Sequence, residues 1–355
     1  MSGPILIVGA TGQQGGAVIR SLQTLPNPPA LRALTRSVDS AKSLELKKQG
    51  VEVVKGTLED VESLKTALTG ASAAFLVTTI PGKGGVSEDQ QGLNFIAAAE
   101  VVKLPYIVFS SVSDASPTCG VPHFETKAKV EEALKQSSLK HAIIAPVAFY
   151  DNFPRQSSFA TFMALGLFDA GLYGKTLQMV ATEDIGNVAA QMLVQPDKYA
   201  GRKIQLAGDE LTMAEVRDTY ARVEKQTVRK AWLPSFFLYI LPYDMRAMFR
   251  FFYDKGYSAD LAAIKKEFPT VRSFEEWLQE GKKAETRRKR SAAPSRFGLQ
   301  ISMHMGAANP NEELSSFLTP AVDPIRSHVH SKDPLLQPAI LEHRGFSVSG
   351  FGLIA

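Results

Sequence analysis

Cysteine is nearly absent, with Cys119 the only one in 355 residues. That excludes a disulfide framework and a thiolate zinc site, and a reducing intracellular compartment is the economical expectation. Cys119 itself reads as a loop residue more readily than as a redox thiol. An excess of one charge is also missing from most of the chain. Of the 40 basic and 36 acidic residues, ten and six lie from Lys282 onward, so the preceding 281 residues hold 30 of each. A nucleic-acid-binding surface would be basic, so no direct contact with nucleic acid is expected. Long hydrophobic runs are lacking too. The most apolar later stretch, WLPSFFLYILPY (232–243), contains two prolines and 12 residues, against the ~20 that span a bilayer. No membrane span is expected, and this stretch reads as buried or cavity-lining. MSGPILIVGA has no basic leader, and its apolar run breaks into glycines, so no secretory signal is expected. The expected location is cytoplasmic. RRKR (287–290) reads equally as a nuclear-localisation patch or as a solvated charge run.

What is present is a large apolar fraction, 45%, enough for one large or two ordinary domains. Short, nearly continuous apolar runs at 5–10, 31–36, 51–56, 71–79, 105–111 and 141–146 alternate with segments of helical period. Such runs are the mark of parallel strands covered on both faces. The pattern predicts an α/β fold, a doubly wound parallel sheet of the Rossmann type over residues 1–150. From 151 to 283 the rhythm changes to TEDIGNVAAQMLVQ, RKIQLAGD, TMAEVRDTYARVEKQ and later short helices. These predict a smaller, α-rich C-terminal lobe that closes a cleft above the strand ends. Residues 284–355 form a basic tail rich in Pro, Ser and Gly, in which little stable structure is expected. The tail holds four of the six histidines, but its HVH (328–330) lacks a second ligand cluster, and no metal site is expected.

The strongest chemical signal is ILIVGATGQQGGAVI. Gly9, Gly12 and Gly15 follow a strand and precede a helix, with Ala10, Thr11, Gln13 and Gln14 between them. Glycines there allow a sharp turn and a close backbone approach to a pyrophosphate, which the helix N-terminus then attracts. Cofactor type is read after the second strand, where an acid would hold the ribose hydroxyl of NAD(H). Arg36 stands there instead and favours the 2′-phosphate of NADP(H); Lys42 would add charge if its loop folds back. Thr57 and Leu58 after the third strand are expected beside the adenine, with Asp60 a helix cap. Thr78 and Thr79 after the fourth are expected along the ribose and nicotinamide. Ser110, Ser111 and Ser113 after the fifth are three open candidates for a hydroxyl near a substrate carbonyl.

PHFETKAKVEEAL (122–134) opens a further helix with Lys127 on its first turn, where a cation is disfavoured unless it meets an anion or a ligand. In short-chain reductases a lysine follows a catalytic tyrosine by four residues. Here the residue four before Lys127 is His123, which could donate a proton near neutral pH.

Together VGATGQQGG, LTR, HFETKAKVEEAL, AFYDNF, ATEDIG and MFRFFYD…FEEWLQEGK, in this order over about residues 3–283, resemble the NmrA-like family of atypical short-chain dehydrogenases/reductases. The resemblance implies a Rossmann fold that binds NADP(H) at the glycine motif, at Arg36, at the residues ending strands three and four, and at Lys127. It also implies contacts from Phe149, Tyr150, Asp151 and Asn152. A further lysine that some relatives place near the fourth helix has no match in SEDQQGLNF, and the tail has no counterpart. Members divide between reductases, many in small-molecule biosynthesis, and regulators that sense the NADPH/NADP balance; the prototype regulates nitrogen metabolism by binding a transcription factor. Two functions are therefore expected. In one, the chain is an NADPH-dependent oxidoreductase acting on a small apolar metabolite in a cleft lined by Phe149, Tyr150, Phe153 and residues 232–243. In the other, it is a non-catalytic NADP(H) sensor that acts on a regulatory protein partner. Oligomeric state is not read from the sequence.

Overall fold

The computed structural model describes residues 3–82 and 84–292. Strands and helices alternate first as β1 (Ile5–Ile7), α1 (Gln13–Gln23), β2 (Leu31–Thr35), α2 (Ala41–Lys48), β3 (Glu52–Lys55), α3 (Val61–Leu68) and β4 (Ala73–Val77). They continue through α4 (Glu88–Val101), β5 (Ile107–Ser110), α5 (Pro122–Gln136), β6 (His141–Pro146), β7 (Ala148–Phe149), α6 (Phe159–Leu172), β8 (Leu177–Val180) and α7 (Thr182–Val194). The rest comprises α8 (Pro196–Tyr199), β9 (Lys203–Leu206), β10 (Asp209–Leu211), α9 (Met213–Glu224), a 3-10 turn at Ser235–Ile240, α10 (Tyr243–Asp254), α11 (Leu261–Glu267) and α12 (Phe274–Ala292).

All seven strands of the main sheet are parallel, in the order β3-β2-β1-β4-β5-β6-β9. Side chains alternate between faces along each strand, and both faces are covered. Ile5, Ile7 and Phe75 pack with Val18 and Leu22 of α1 and with Ile185 of α7. Leu6, Val8 and Leu76 pack with Leu64 of α3, Phe95 of α4 and Val130 of α5. The nearly continuous apolar runs are thus explained by two helical layers. Strand order reverses between β1 and β4, and a doubly wound sheet opens a crevice at that point.

Two elements corrected the sequence reading. RKIQLAGD supplies β9, which extends the main sheet by pairing with β6 (Ile144 with Ile204), and TEDIGNVAAQMLVQ forms α7, which lies on α1 in the sheet's own helical layer. A division at residue 150 therefore does not separate sheet from lobe. The reason for the return is a close crossing: a Cβ at Gly186 would lie 2.6 Å from the backbone of Ala17, and Ser21 Oγ donates to Asn187 Oδ1 at 2.7 Å beside it. The lobe is built from α6, α9 and α10 around Phe153, Phe168, Tyr220, Phe249 and Trp277. It also holds a three-stranded sheet, β10-β8-β7, that the sequence reading missed. Helical structure runs on to Ala292, past the point where periodicity was expected to end, so RRKR lies in α12. HVH and the rest of the tail lie outside the described residues, and among those residues no helix is long and apolar enough to cross a membrane.

The α1–α7 crossing makes a direct prediction. Gly186→Val forces methyl groups into backbone that cannot yield as a flexible side chain would, and it should cost about 1–3 kcal/mol. A urea denaturation midpoint equal to wild type would show that the two helices have no need of this approach.

Candidate active site

The glycine loop is built by contact. Gly9 adopts a left-handed φ of 67°, the backbone N–H of Gly12 donates to Gly9 O at 2.8 Å, and a Cβ at Gly15 would sit 2.4 Å from Gly9 O. α1 therefore begins directly on the end of β1. Its N-cap is Gly12, which offers no side-chain bond to the first turn, so the helix presents uncapped N–H groups and the positive end of its dipole. In front of it lies a cavity of about 440 Å³ lined by Gly9, Thr11, Gly12, Arg36, Thr57, Leu58 and Thr79, together with Ser37, Ser40 and Gln91. Arg36 is exposed there with no carboxylate partner among the described residues. Lys42 does fold back, its Nζ donating to Thr11 O at 3.0 Å. Asp60 is a cap, accepting from the Glu62 N–H at 3.0 Å.

Other expected residues lie apart from this cavity. Thr78 is buried, and its Oγ1 donates to Glu88 Oε1 at 2.9 Å. The same carboxylate oxygen receives Lys127 Nζ at 2.8 Å, while Glu88 Oε2 accepts from Thr126 Oγ1 at 2.8 Å. Both charged side chains are buried. α5 begins at Pro122, so Lys127 falls in its second turn and not the first, and the anion it meets is Glu88, from the first turn of α4. Burial works to raise the Glu88 pKa, but the Lys127 charge and the bonds from Lys127, Thr126 and Thr78 outweigh it, and the carboxyl titrates below its ordinary 4.5. The three serines separate clearly. Ser110 Oγ donates to Gln14 Oε1 at 2.6 Å and so faces the glycine loop. Ser111 bonds Glu131, which Lys203 neutralises, and Ser113 bonds Asp114 and Gln205.

The segment 149–152 is largely taken up by the protein itself. Phe149 and Tyr150 are buried, and the Tyr150 hydroxyl donates to Arg272 O at 3.2 Å. Asp151 Oδ2 accepts from both the backbone N–H and the hydroxyl of Thr182, fixing the start of α7. Asn152 alone keeps spare capacity, because its Oδ1 is buried without a partner. Phe149, Tyr150 and Phe153 were expected to line a substrate cleft, but they are core: Phe149 packs in the sheet's apolar cluster, and Tyr150 and Phe153 make aromatic contacts with Phe274, Trp277 and Phe168. Residues 232–243 are not buried either: Trp232 is 86% exposed and Tyr239 76%. Part of this segment lines a second cavity, of about 650 Å³, with Leu238, Tyr239 and Tyr243 facing Phe249 and Phe251 of α10 and the loop at Cys119.

His123 lies one turn before Lys127, and its Nδ1 is 2.7 Å from Asp244 Oδ2 at the start of α10. That oxygen sits off the N–H direction, so the ring contact is a close approach without a directed bond; the directed bond runs from the His123 backbone N–H to Asp244 Oδ1 at 3.3 Å. Partial burial works to raise the Asp244 pKa, and the His123 contacts outweigh it, leaving the carboxyl below its ordinary value. Among the described residues no cluster of three or more His, Cys, Asp or Glu is arranged to hold a metal ion.

The family model described as "NmrA-like family" matches residues 1–279. The chain belongs to this family. FrzB of Cladobotryum sp, named an NmrA-like family domain-containing oxidoreductase, is 29% identical over 309 residues, covering 75% of this chain and 91% of FrzB. Two solved structures share the fold. The Citrobacter sp. triphenylmethane reductase complexed with NADP(H) matches with a TM-score of 0.63 at 20% identity, over 78% of this chain and 99% of its own. NmrA, a negative transcriptional regulator solved with NADP, matches with a TM-score of 0.62 at 20% identity, over 81% and 98%.

For a member of this family, two residues at the site escaped the sequence reading. Glu88 and Asp244 each stand in the first turn of a helix, where an acid reads as an ordinary partner of the helix dipole. Each meets its partner residue, Lys127 or His123, across 39 and 121 positions respectively, and no local pattern reports that distance. The only hint was on the cation side, in the misplaced charge of Lys127.

Removing one partner of a buried pair strands the other charge. Glu88→Gln should therefore cost about 3–5 kcal/mol, and Lys127→Met in the same chain should restore much of it. A carboxyl whose pKa is lowered on folding contributes stability that is complete above about 4.5 and lost as pH falls through the folded value. Acid titration of stability should accordingly be steeper for wild type than for Glu88→Gln/Lys127→Met below that pH; parallel curves would show that the pair does not contribute to acid unfolding.

Proposed function

We propose that the chain is an NADP(H)-dependent oxidoreductase that reduces a carbonyl or activated double bond of a small apolar molecule. The observation that carries this reading is the first cavity, which joins an uncapped helix N-terminus, a glycine loop and an unpaired arginine at the switch point of a parallel sheet. Backbone N–H groups and a helix dipole suit a pyrophosphate, and a guanidinium suits a ribose phosphate as a two-pronged donor. On this reading Gly9, Ala10, Thr11, Gly12, Gln13, Gln14 and Gly15 hold the pyrophosphate, while Arg36, with Ser37, Ser40 and Lys42, holds the 2′-phosphate. Thr57 and Leu58 flank the adenine, and Thr79, Asn152 and Lys127 serve the nicotinamide side. NADPH bound there supplies a hydride. The relatives support the same reading, since FrzB is named an oxidoreductase and the triphenylmethane reductase was solved with NADP(H). The second cavity, of about 650 Å³, falls within the ~300–1,000 Å³ of small-molecule sites, and its aromatic lining suits a flat apolar substrate.

One observation favours a second reading, a sensor that reports NADP(H) state to a protein partner without turnover. Lys127 already has its charge met by Glu88, and the position four before it holds no tyrosine. NmrA, described as a negative transcriptional regulator, is the family precedent.

Incubation of the full-length protein with NADPH and a panel of aldehydes, ketones and quinones separates the two. NADPH oxidation above that of the Glu88→Gln/Lys127→Met protein supports the enzyme. No turnover, with tight and unequal binding of NADPH and NADP⁺, would sink it in favour of the sensor. Arg36→Asp should weaken NADP(H) relative to NAD(H) by roughly 10- to 100-fold, the worth of about 1.5–3 kcal/mol for a bond to a charged group. Equal weakening of both cofactors would show that Arg36 does not read the 2′-phosphate.

A further inference from the structure

His123 and Lys127 are four residues apart on α5 and so share a face, but they are held by different parts of the chain. Lys127 is anchored to α4 through Glu88. His123 is anchored to α10 through Asp244, whose two carboxylate oxygens meet the ring Nδ1 and the backbone N–H of the same residue. The backbone bond fixes the position of the residue, and the second oxygen sets a carboxylate beside the ring nitrogen that faces inward. Phe124 packs edge-on against the ring at 4.7 Å between centroids and limits its rotation. Thr126 completes the link, its hydroxyl donating to Glu88 Oε2 at 2.8 Å while lying 3.0 Å from His123 O. Nδ1 is buried, whereas Nε2 makes no bond to the described residues and is not sealed from solvent. Neighbours on either side of the pair, Gly120 before α5 and Tyr243 and Arg246 on α10, line the aromatic cavity.

We propose that Asp244 is the positioning residue of the reductase's proton donor: it bonds the backbone N–H of His123 and sets a carboxylate against Nδ1, so that Nε2 delivers a proton to the oxygen of the reduced carbonyl. This rests on the oxidoreductase reading above. The carbonyl carbon receives the hydride, and its π pair moves to oxygen. Protonated Nε2 gives that oxygen its proton and keeps the N–H bonding pair, and the neutral ring then regains a proton from water. The carbonyl compound is reduced to an alcohol as NADPH is oxidised. The charged groups around the ring are Asp244 on the Nδ1 side and, one turn along α5, the mutually neutralised Lys127 and Glu88. A carboxylate facing Nδ1 stabilises the imidazolium that donates, as an orienting acid does for a catalytic histidine elsewhere.

The test uses the full chain as wild type, Asp244→Asn, Asp244→Glu and His123→Gln. General acid catalysis is worth about 10²–10⁴-fold, so His123→Gln should lower kcat by that order. Asp244→Asn should lower kcat by roughly 10- to 100-fold with KM for NADPH unchanged, and Asp244→Glu should recover part of the loss. Nitrogen-15 spectra of the His123 ring in cofactor-free protein should show the neutral form protonated at Nδ1 in wild type and redistributed in Asp244→Asn. An active wild type whose Asp244→Asn variant keeps its kcat overturns the proposal, as does a wild-type ring protonated at Nε2, whether or not turnover is found. Failure of the oxidoreductase reading is distinct, appearing as no turnover by wild type with any compound of the panel.

Discussion

With no side chain at position 15, the first turn of α1 rests on the carbonyl of Gly9, and the rest of the site depends on that approach. A single Cβ there would stand 2.4 Å from the oxygen. The displacement needed to relieve it would move the helix away from the strand end and close the space between α1 and β2, where Thr11 and Arg36 share a cavity wall. The same helix is fixed on its other side by a second missing side chain, at Gly186, so β1, α1 and α7 stack at backbone distance. Close packing of this kind transmits any volume change directly. The cavity is therefore set by what two positions lack.

That constraint explains why the first half of the fold was legible. The glycine spacing, the six apolar runs and Arg36 are local features, each decided by residues within a few positions of one another, and the sheet formed from them as read. The family resemblance, now matched over residues 1–279, rested on the same local motifs. What was not legible depends on distance along the chain. TEDIGNVAAQMLVQ has the amphipathic pattern of any surface helix, and nothing within it tells which layer it joins; the deciding contact is Gly186 against Ala17, 169 positions earlier. RKIQLAGD reads as a strand on its own, but its pairing with β6 is settled only once α7 has carried the chain back across the sheet.

Residues 232–243 show a different limit. Their apolar character was read as buried or cavity-lining, and part of the segment does line the second cavity; burial of the rest would require a surface to pack against. Pro234 and Pro242 bracket the 3-10 turn at Ser235–Ile240, removing backbone donors and holding it as a short projecting arm. Leu238 and Leu241 pack on the lobe while Trp232, Phe236, Tyr239 and Ile240 stand outside it. Hydropathy reports how much apolar surface a segment has. It does not report whether the fold supplies enough partner surface to cover it, and an arm bordering an aromatic cavity is where the shortfall falls here.

Charge partners follow the same logic with a larger consequence. Lys127 was noticed because a lysine near a helix start runs against the helix dipole, and His123 because it stands four residues before that lysine, where short-chain reductases carry a tyrosine; both signals are local. Their partners, Glu88 and Asp244, agree with the dipole of their own helices and so draw no notice. The structure meets both residues with acids that already suit the start of their own helices, Glu88 at α4 and Asp244 at α10. Because Glu88 comes from α4 and Asp244 from α10, the start of α5 is tied both to the sheet's helical layer and to the lobe. A shift of α10 relative to α5 would thus move His123 against its carboxylate while leaving Lys127 with Glu88. Of the two residues it is the histidine whose surroundings depend on how the lobe is seated, because its acid comes from α10 and that of the lysine from α4.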